Sequence, residues 1–537
     1  MRNALFPAVT SAVIALGLPA PVAAQDATDQ QLGQVSFQTS CNEVAQRRFD
    51  RGMRYQHSYW YRQSREIFQE AIKADPSCAI AYWGIALGLW DNQHNPPPAA
   101  NNAPALESIR KAQAIGAKTQ RERDYIDAMA ILYTDYDKIP YRTRLMAHVK
   151  AMEALAQRYP QDDEAQIAYA ILLNVSAPLD DKTYAQQLKG AAILEPISKR
   201  LPLHPGVTHY LIHLYDYPAL AQKGLDAANR YAKVAPAAPH AQHMPSHIYT
   251  RVGYWKESIA ANTGSVNAAR AHNEDSQALH ARDYMVYAHL QLAQDDRARD
   301  VVAQILAVAD KIGPGVQGAH FAIAASPARY AIERGDWAGA MALQVRTTRF
   351  PNVDAITHFA RALGAARAGK PEAAKADIAK LADLRDALRK ANDAYWSGQV
   401  EIQRQVAAAW LLYAEGKYDE ALRAMSAAAD AEDKTEKHVV TPGPLAPARE
   451  LYGYMLLERG MAHEALAAFE STQQKEPNRY HGFAGAAQAA ERLGNKAVAK
   501  ANYQKLVALA GDNFTLASAD GAPRPEVIAA RRYLANN

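Results

Sequence analysis

The residues of this chain best suited to chemistry are histidines, and their spacing says more than their number. His209 and His213 form an i,i+4 pair, and His243 and His247 form another. On a helix such a pair lies on one face, about 5–6 Å apart at Cβ. The first members of the two pairs are 34 residues apart, and so are the second members. Neutral imidazole is a ligand for zinc, copper or iron, so two facing pairs offer up to four nitrogens to one ion. A bound zinc would lower the pKa of its water to near 7 and allow hydrolysis, whereas copper or iron points to oxidation chemistry. The segment His243-Met244-Pro245-Ser246-His247 has no Glu after its first His, so it is not the helical zinc-protease motif. An activating carboxylate has to come from another part of the chain.

Holding two such pairs in phase requires helices that recur with the same period. A repeated phrase supplies them. Gly253-Tyr254-Trp255 precedes Ser258, Gly335-Asp336-Trp337 precedes Ala340, and Gly416-Lys417-Tyr418 precedes Ala421. Gly460 precedes Ala465, and Gly494 precedes Ala499. Asp75-Pro76, Tyr159-Pro160 and Glu476-Pro477 close other units. Glycine ends a first helix, a small residue lets a second helix approach it, and proline stops the second from continuing. The phrase and the 34-residue step resemble the tetratricopeptide repeat. The expectation is an all-α solenoid of about a dozen helix-turn-helix pairs over residues 42–511, with His-rich central repeats over 204–310 and no strands. Loops are expected around Asn92–Pro98 and Glu432–Pro447.

Counting repeats from Pro205, Pro239 and Leu279 places His209 and His243 at position 5, and His213 and His247 at position 9. His240 and His280 fall at position 2, Asp216 at position 12 and Asp283 at position 5. Steps of three, four and three put these positions on one stripe of the first helix. The resemblance implies that this stripe lines the concave groove. His209, His213, His243, His247 and His240 are therefore candidate metal ligands. Asp216, Asp283 and His280 are candidate acid–base groups or auxiliary ligands, with Glu450 a more remote carboxylate. Pro245 is expected to kink the helix that carries His243 and His247, or to mark a late start of that helix. The competing reading is a scaffold that holds a peptide or small molecule in the groove without catalysis. Typical grooves of that kind carry Lys, Arg and Asn on the stripe, whereas this one carries His and Asp.

Several stretches are more specific than the general repeat. They are Ala81-Tyr82-Trp83-Gly84-Ile85-Ala86, His204-Pro205-Gly206 with the first pair, the second pair followed by Arg251 and Gly253, and Pro447-Ala448-Arg449-Glu450. Together they resemble a group of exported bacterial tetratricopeptide proteins, distantly similar to the eukaryotic tetratricopeptide repeat protein 38. The resemblance implies the fold over nearly the whole mature chain and assigns no reaction.

The 537 residues carry a net charge of +4, with 49% hydrophobic and 22% charged residues. No basic stripe interleaved with aromatics is present, so nucleic acid is not an expected partner. Arg2 precedes an apolar stretch interrupted by Pro7, Pro19 and Pro21 and ending in Val22-Ala23-Ala24. This reads as a secretory signal over residues 1–24, which implies a periplasmic or secreted protein with an extension over 25–41 and a partly helical tail over 512–537. No apolar run is long enough to span a membrane. Cys41 and Cys78 are the two cysteines. Export favours a disulfide between them, the alternative being two buried thiols. Nucleophile-elbow, phosphate-loop and dinucleotide fingerprints are absent.

Overall fold

Helix pairs follow one another from Glu43–His57 with Tyr61–Ala74 to Tyr480–Arg492 with Lys496–Ala510, and a last helix spans Pro525–Asn536. The computed structural model describes Thr28 and residues 31–178, 180–511 and 524–537. The leader expected over 1–24 lies outside the described residues. Among the described residues there is no strand. The glycines singled out by the repeat phrase, Gly253, Gly335, Gly416, Gly460 and Gly494, all sit in the left-handed region, with φ between 66° and 79°. Residues with a Cβ are strained there, which is why the turn between paired helices selects glycine.

Packing between pairs follows one rule that is visible at both ends of the chain. The Phe68 ring fills the space above Gly52 and Gly84, where an added Cβ would come within 2.6 Å and 2.8 Å of it. Phe469 stands in the same way over Gly453 and Gly485. An aromatic from the second helix of a unit thus seats between the first helices of two successive units. Removing such a ring from a buried site costs about 3–5 kcal/mol. The chain is an all-α solenoid of the tetratricopeptide type.

The solenoid curls until distant units touch. The indole of Trp60 donates to Glu274 at 3.2 Å, and Gln63 donates to the same oxygen. The indole of Trp255 donates to the Asn478 carbonyl at 2.8 Å. Arg524 pairs with Asp295 at 2.6 Å. Cys41 and Cys78 are joined by a disulfide that ties the segment before the first pair to the start of helix Ala79–Trp90.

Two loops fill the inner face so formed. The 434–447 segment crosses it as a strap. Arg329 donates to the Pro444 carbonyl at 2.7 Å, Tyr284 to the Thr441 carbonyl at 3.1 Å and Tyr395 to the Glu436 carbonyl at 2.8 Å. The second loop, after Trp90, brings His94 against His213, with ring centroids 4.4 Å apart.

Candidate metal centre

Three consecutive units build the centre. Helix Pro205–Tyr215 carries His209 and His213, and helix Asp275–Gln291 carries His280. The helix between them is split into Pro239–His243 and Pro245–Val252. Pro245 has no N–H to continue the ladder, so one helix ends at His243 and a new one begins at Pro245. Met244 between the two parts stays in the right-handed helical region, so His243 and His247 keep their i,i+4 relation.

The four paired histidines fall into two separate groups instead of the single cluster expected from the sequence. His209, His213 and His240 form one group of three, and His243, His247 and His280 form another. Within each group the ligand atoms lie within 4.8 Å of one another. Each group takes positions 5 and 9 of one unit and position 2 of the next, so the second is the first moved along by one repeat. The corresponding rings of His213 and His247 are 6.2 Å apart at their centroids. His240, expected as an extra ligand, completes the first group. His280, expected as an acid–base group, completes the second.

The imidazoles converge through Nε2. His209 Nε2 lies 3.0 Å from His213 Nε2 and 3.1 Å from His240 Nε2. His243 Nε2 lies 3.0 Å from His247 Nε2. The outer nitrogens of three of these rings are held by acceptors. His209 Nδ1 donates to the His57 carbonyl at 2.7 Å. His243 Nδ1 donates to Asn262 Oδ1 at 2.6 Å, and the Asn262 amide is oriented by its own bond to the Ser258 carbonyl. His247 Nδ1 donates to Asp216 at 2.9 Å. A ring with its proton fixed on Nδ1 presents a lone pair at Nε2, which is how metal-ligating histidines are normally oriented.

Burial keeps these rings neutral. His209, His213, His240 and His243 are pushed well below the usual imidazole range by desolvation, reinforced by neighbouring imidazoles. Burial lowers His247 as well, with Asp216 opposing, and takes His280 to about 3. Burial alone would raise the Asp216 carboxyl. Lys437, Arg251 and His247 outweigh it and hold Asp216 well below the usual carboxylate range. Asp216 therefore stands behind His247 as an anion bonded to Arg251 at 2.9 Å and Lys437 at 2.8 Å, rather than facing a substrate.

The other expected carboxylates lie elsewhere. Asp283 accepts from Ser326 at 3.1 Å and faces Arg329 at 3.7 Å, and it joins neither group of histidines. Glu450 is paired with Arg479 at 2.8 Å. The sequence reading missed two tyrosines. Tyr59 sits in a tight turn with φ 55°, and its ring lies 4.4 Å from His209 and 4.9 Å from His240. Its buried hydroxyl has no hydrogen-bond partner. A tyrosine in the left-handed region is strained, and such outliers concentrate at functional sites. Tyr284 plays a matching part in the second group, with its hydroxyl 3.3 Å from His247 Nε2. A turn cannot be placed from sequence alone against a helix four units further along the chain, so Tyr59 carried no signal there.

A third cluster joins His57, Glu164 and His204. His57 and His204 bracket the Glu164 carboxylate at 3.0 Å and 2.9 Å. Their outer nitrogens are also taken, by Tyr210 at 3.1 Å and by the Val207 N–H at 3.3 Å. Every ring nitrogen here has a partner, so the cluster is a bonded strut. It caps helix Pro205–Tyr215 and fixes the His57 carbonyl that orients His209.

No protein-family model matches the chain, and no curated protein matches it. Solved structures with helical repeats do. Yeast Tom70 is 12% identical over 92% of this chain and 95% of that one, with a TM-score of 0.28. The tetratricopeptide domain of P58(IPK) is 11% identical over 92% and 99%, with a TM-score of 0.21. A chain of the APC/C hetero-tetramer Cut9–Hcn1 is 9% identical over 92% and 95%, with a TM-score of 0.31. Likeness at this level says nothing about the histidines. The fold assignment rests on the helix pairs themselves.

Proposed function

We propose that this chain is an exported solenoid that binds transition-metal ions, zinc, copper or iron, at two three-imidazole sites on its inner face. One observation carries the reading. His243 and His247 both have their protons committed at Nδ1, yet their Nε2 lone pairs face each other at 3.0 Å. Two lone pairs so close repel unless an electrophile shares them. The edge of a tetrahedral site with bonds near 2.0–2.1 Å is about 3.3 Å, close to what the rings offer. Three protein ligands leave a coordination position open, and a bound ion would supply Lewis-acid or redox chemistry there. The disulfide between Cys41 and Cys78 supports the exported setting, as does the likeness to exported bacterial tetratricopeptide proteins.

Metal analysis of untagged protein tests this. The expected result is about two equivalents of one transition metal per chain, falling to one in His209→Ala or His243→Ala and to none in the double variant. Retention of no metal by the unsubstituted protein, after loading and desalting, would sink the proposal.

A second reading is favoured by the strap. The inner face already binds an extended segment through its carbonyls, using Arg329, Tyr284 and Tyr395. A peptide or partner protein that displaces residues 434–447 would meet the same donors. In that reading metal content would be unaffected by the peptide and the strap would become protease-sensitive when it binds.

A further inference from the structure

The second group of histidines has an oxygen donor placed beside it by its own helix. Helix Asp275–Gln291 carries His280 and, four residues on, Tyr284. An i,i+4 pair shares one helix face, so the tyrosine is presented together with the histidine. Tyr284 is fully buried, and its ring stands against all three imidazoles. The centroids lie 4.7 Å from His243, 5.1 Å from His247 and 5.4 Å from His280. At the first group the residue four after His240 is Met244, which offers no oxygen.

The Tyr284 hydroxyl has one proton to give and three acceptors around it. The strap carbonyls of Thr441 and Val439 lie 3.1 Å and 3.4 Å away, and His247 Nε2 lies 3.3 Å away. The shortest contact, to Thr441, takes the proton. His247 has none to offer at Nε2, because Asp216 holds its proton at Nδ1. The phenol oxygen therefore meets His247 Nε2 lone pair to lone pair, as His243 Nε2 does at 3.0 Å. The 3.3 Å between oxygen and nitrogen equals the edge of about 3.3 Å of a tetrahedral site with bonds near 2.0–2.1 Å.

Resting on the metal-binding reading above, we propose that Tyr284 is the fourth ligand of the second site. It fills the coordination position that three imidazoles leave open and makes a closed centre of three nitrogens and one oxygen. As the ion binds, the phenol proton passes to solvent, and the oxygen exchanges its bond to Thr441 for one to the ion. The two sites then differ in kind. The phenolate brings a negative charge to the second ion and leaves no position there for an outside ligand.

Titration of the metal-free full chain with copper(II), followed in the visible, tests this. About two equivalents should be retained after desalting, and one of them should carry a phenolate-to-copper charge-transfer band. Resonance Raman excitation in that band should show tyrosine ring modes, a readout that needs no substitution. Tyr284→Phe should abolish the band, while Tyr59→Phe and His209→Ala keep it. Loss of the strap bond alone would weaken binding without ever producing such a band. Copper retained without the band, a band that survives Tyr284→Phe, or a band lost in Tyr59→Phe would overturn the assignment and leave metal binding standing. No retained copper would overturn both.

Discussion

The Asn262 amide donates to the Ser258 carbonyl, so its oxygen has to face His243. Substituting Asn262→Ala leaves the buried His243 N–H with only the Ser246 hydroxyl, at 3.5 Å. The cost is about 1–3 kcal/mol. Metal affinity at the second site should fall by roughly 10–100-fold, with the first site unchanged, in a chelator competition titration. Equal loss at both sites would show that Asn262 acts through general stability. Asp216→Asn should do more damage, because it leaves Arg251 and Lys437 buried without their anion. About 3–5 kcal/mol of stability is expected to go with it. A pH effect follows from burial of neutral imidazoles. Desolvation takes His94 and His148 to about 4 and His438 to about 3. In the unfolded chain these groups titrate near 6.5, so below that pH the unfolded state binds more protons than the folded one. Metal-free protein should therefore lose stability as pH falls from about 6.5 towards 4, by up to about 1.4 kcal/mol per pH unit for each imidazole. Thermal scans across that range check the sign, and a flat or rising Tm on acidification would contradict it.

At the scale of elements, the strut of His57, Glu164 and His204 decides where the first site sits. Helix Pro205–Tyr215 can approach the turn after Glu43–His57 only because residue 206 is glycine. An added Cβ would stand 2.4 Å from His57 Nδ1. The His57 carbonyl that holds His209 would have to move with its ring. Gly206→Ala should thus weaken metal binding at the first site while sparing the second, which a two-site titration resolves. Loss at the second site alone would refute this coupling. Pro245 interrupts the helix of the second pair, but a one-residue break in the right-handed region leaves the helical phase intact. The repeat period and the i,i+4 spacings were legible from residue types, since both are set by helix geometry. The partition into two groups was not, because it depends on position 2 of each following helix reaching back to its predecessor. His94 was equally out of reach, since loop residues carry no periodicity from which to place them.

For the whole molecule, closure matters more than the number of units. The Cys41–Cys78 disulfide, spanning 37 residues, holds the first pair to the next. Reduction should lower stability by about 2–4 kcal/mol, mainly through the freed unfolded chain. Calorimetry with and without reductant would show a lower transition, and an unmoved transition would mean that the first units gain nothing from the link. Contacts such as Trp60 with Glu274 and Trp255 with Asn478 join parts of the chain more than 200 residues apart. They convert an open groove into an enclosed centre, capped by the strap through Lys437 and by the loop of His94.

Sequence alone determined the helical repeat, its glycine turns, the phase of the two histidine pairs and the stripe they share. Those are local properties, fixed by 3.6 residues per turn and by which side chains a tight turn or a close approach tolerates. Tertiary structure decided that the pairs fall into two groups of three instead of one cluster, that Asp216 stands behind His247, that Asp283 belongs to Arg329, and that two tyrosines and a loop histidine wall the centre. The superhelical path sums small rotations over many units. Which distant residues it brings together depends on that sum, and no single segment of the sequence encodes it.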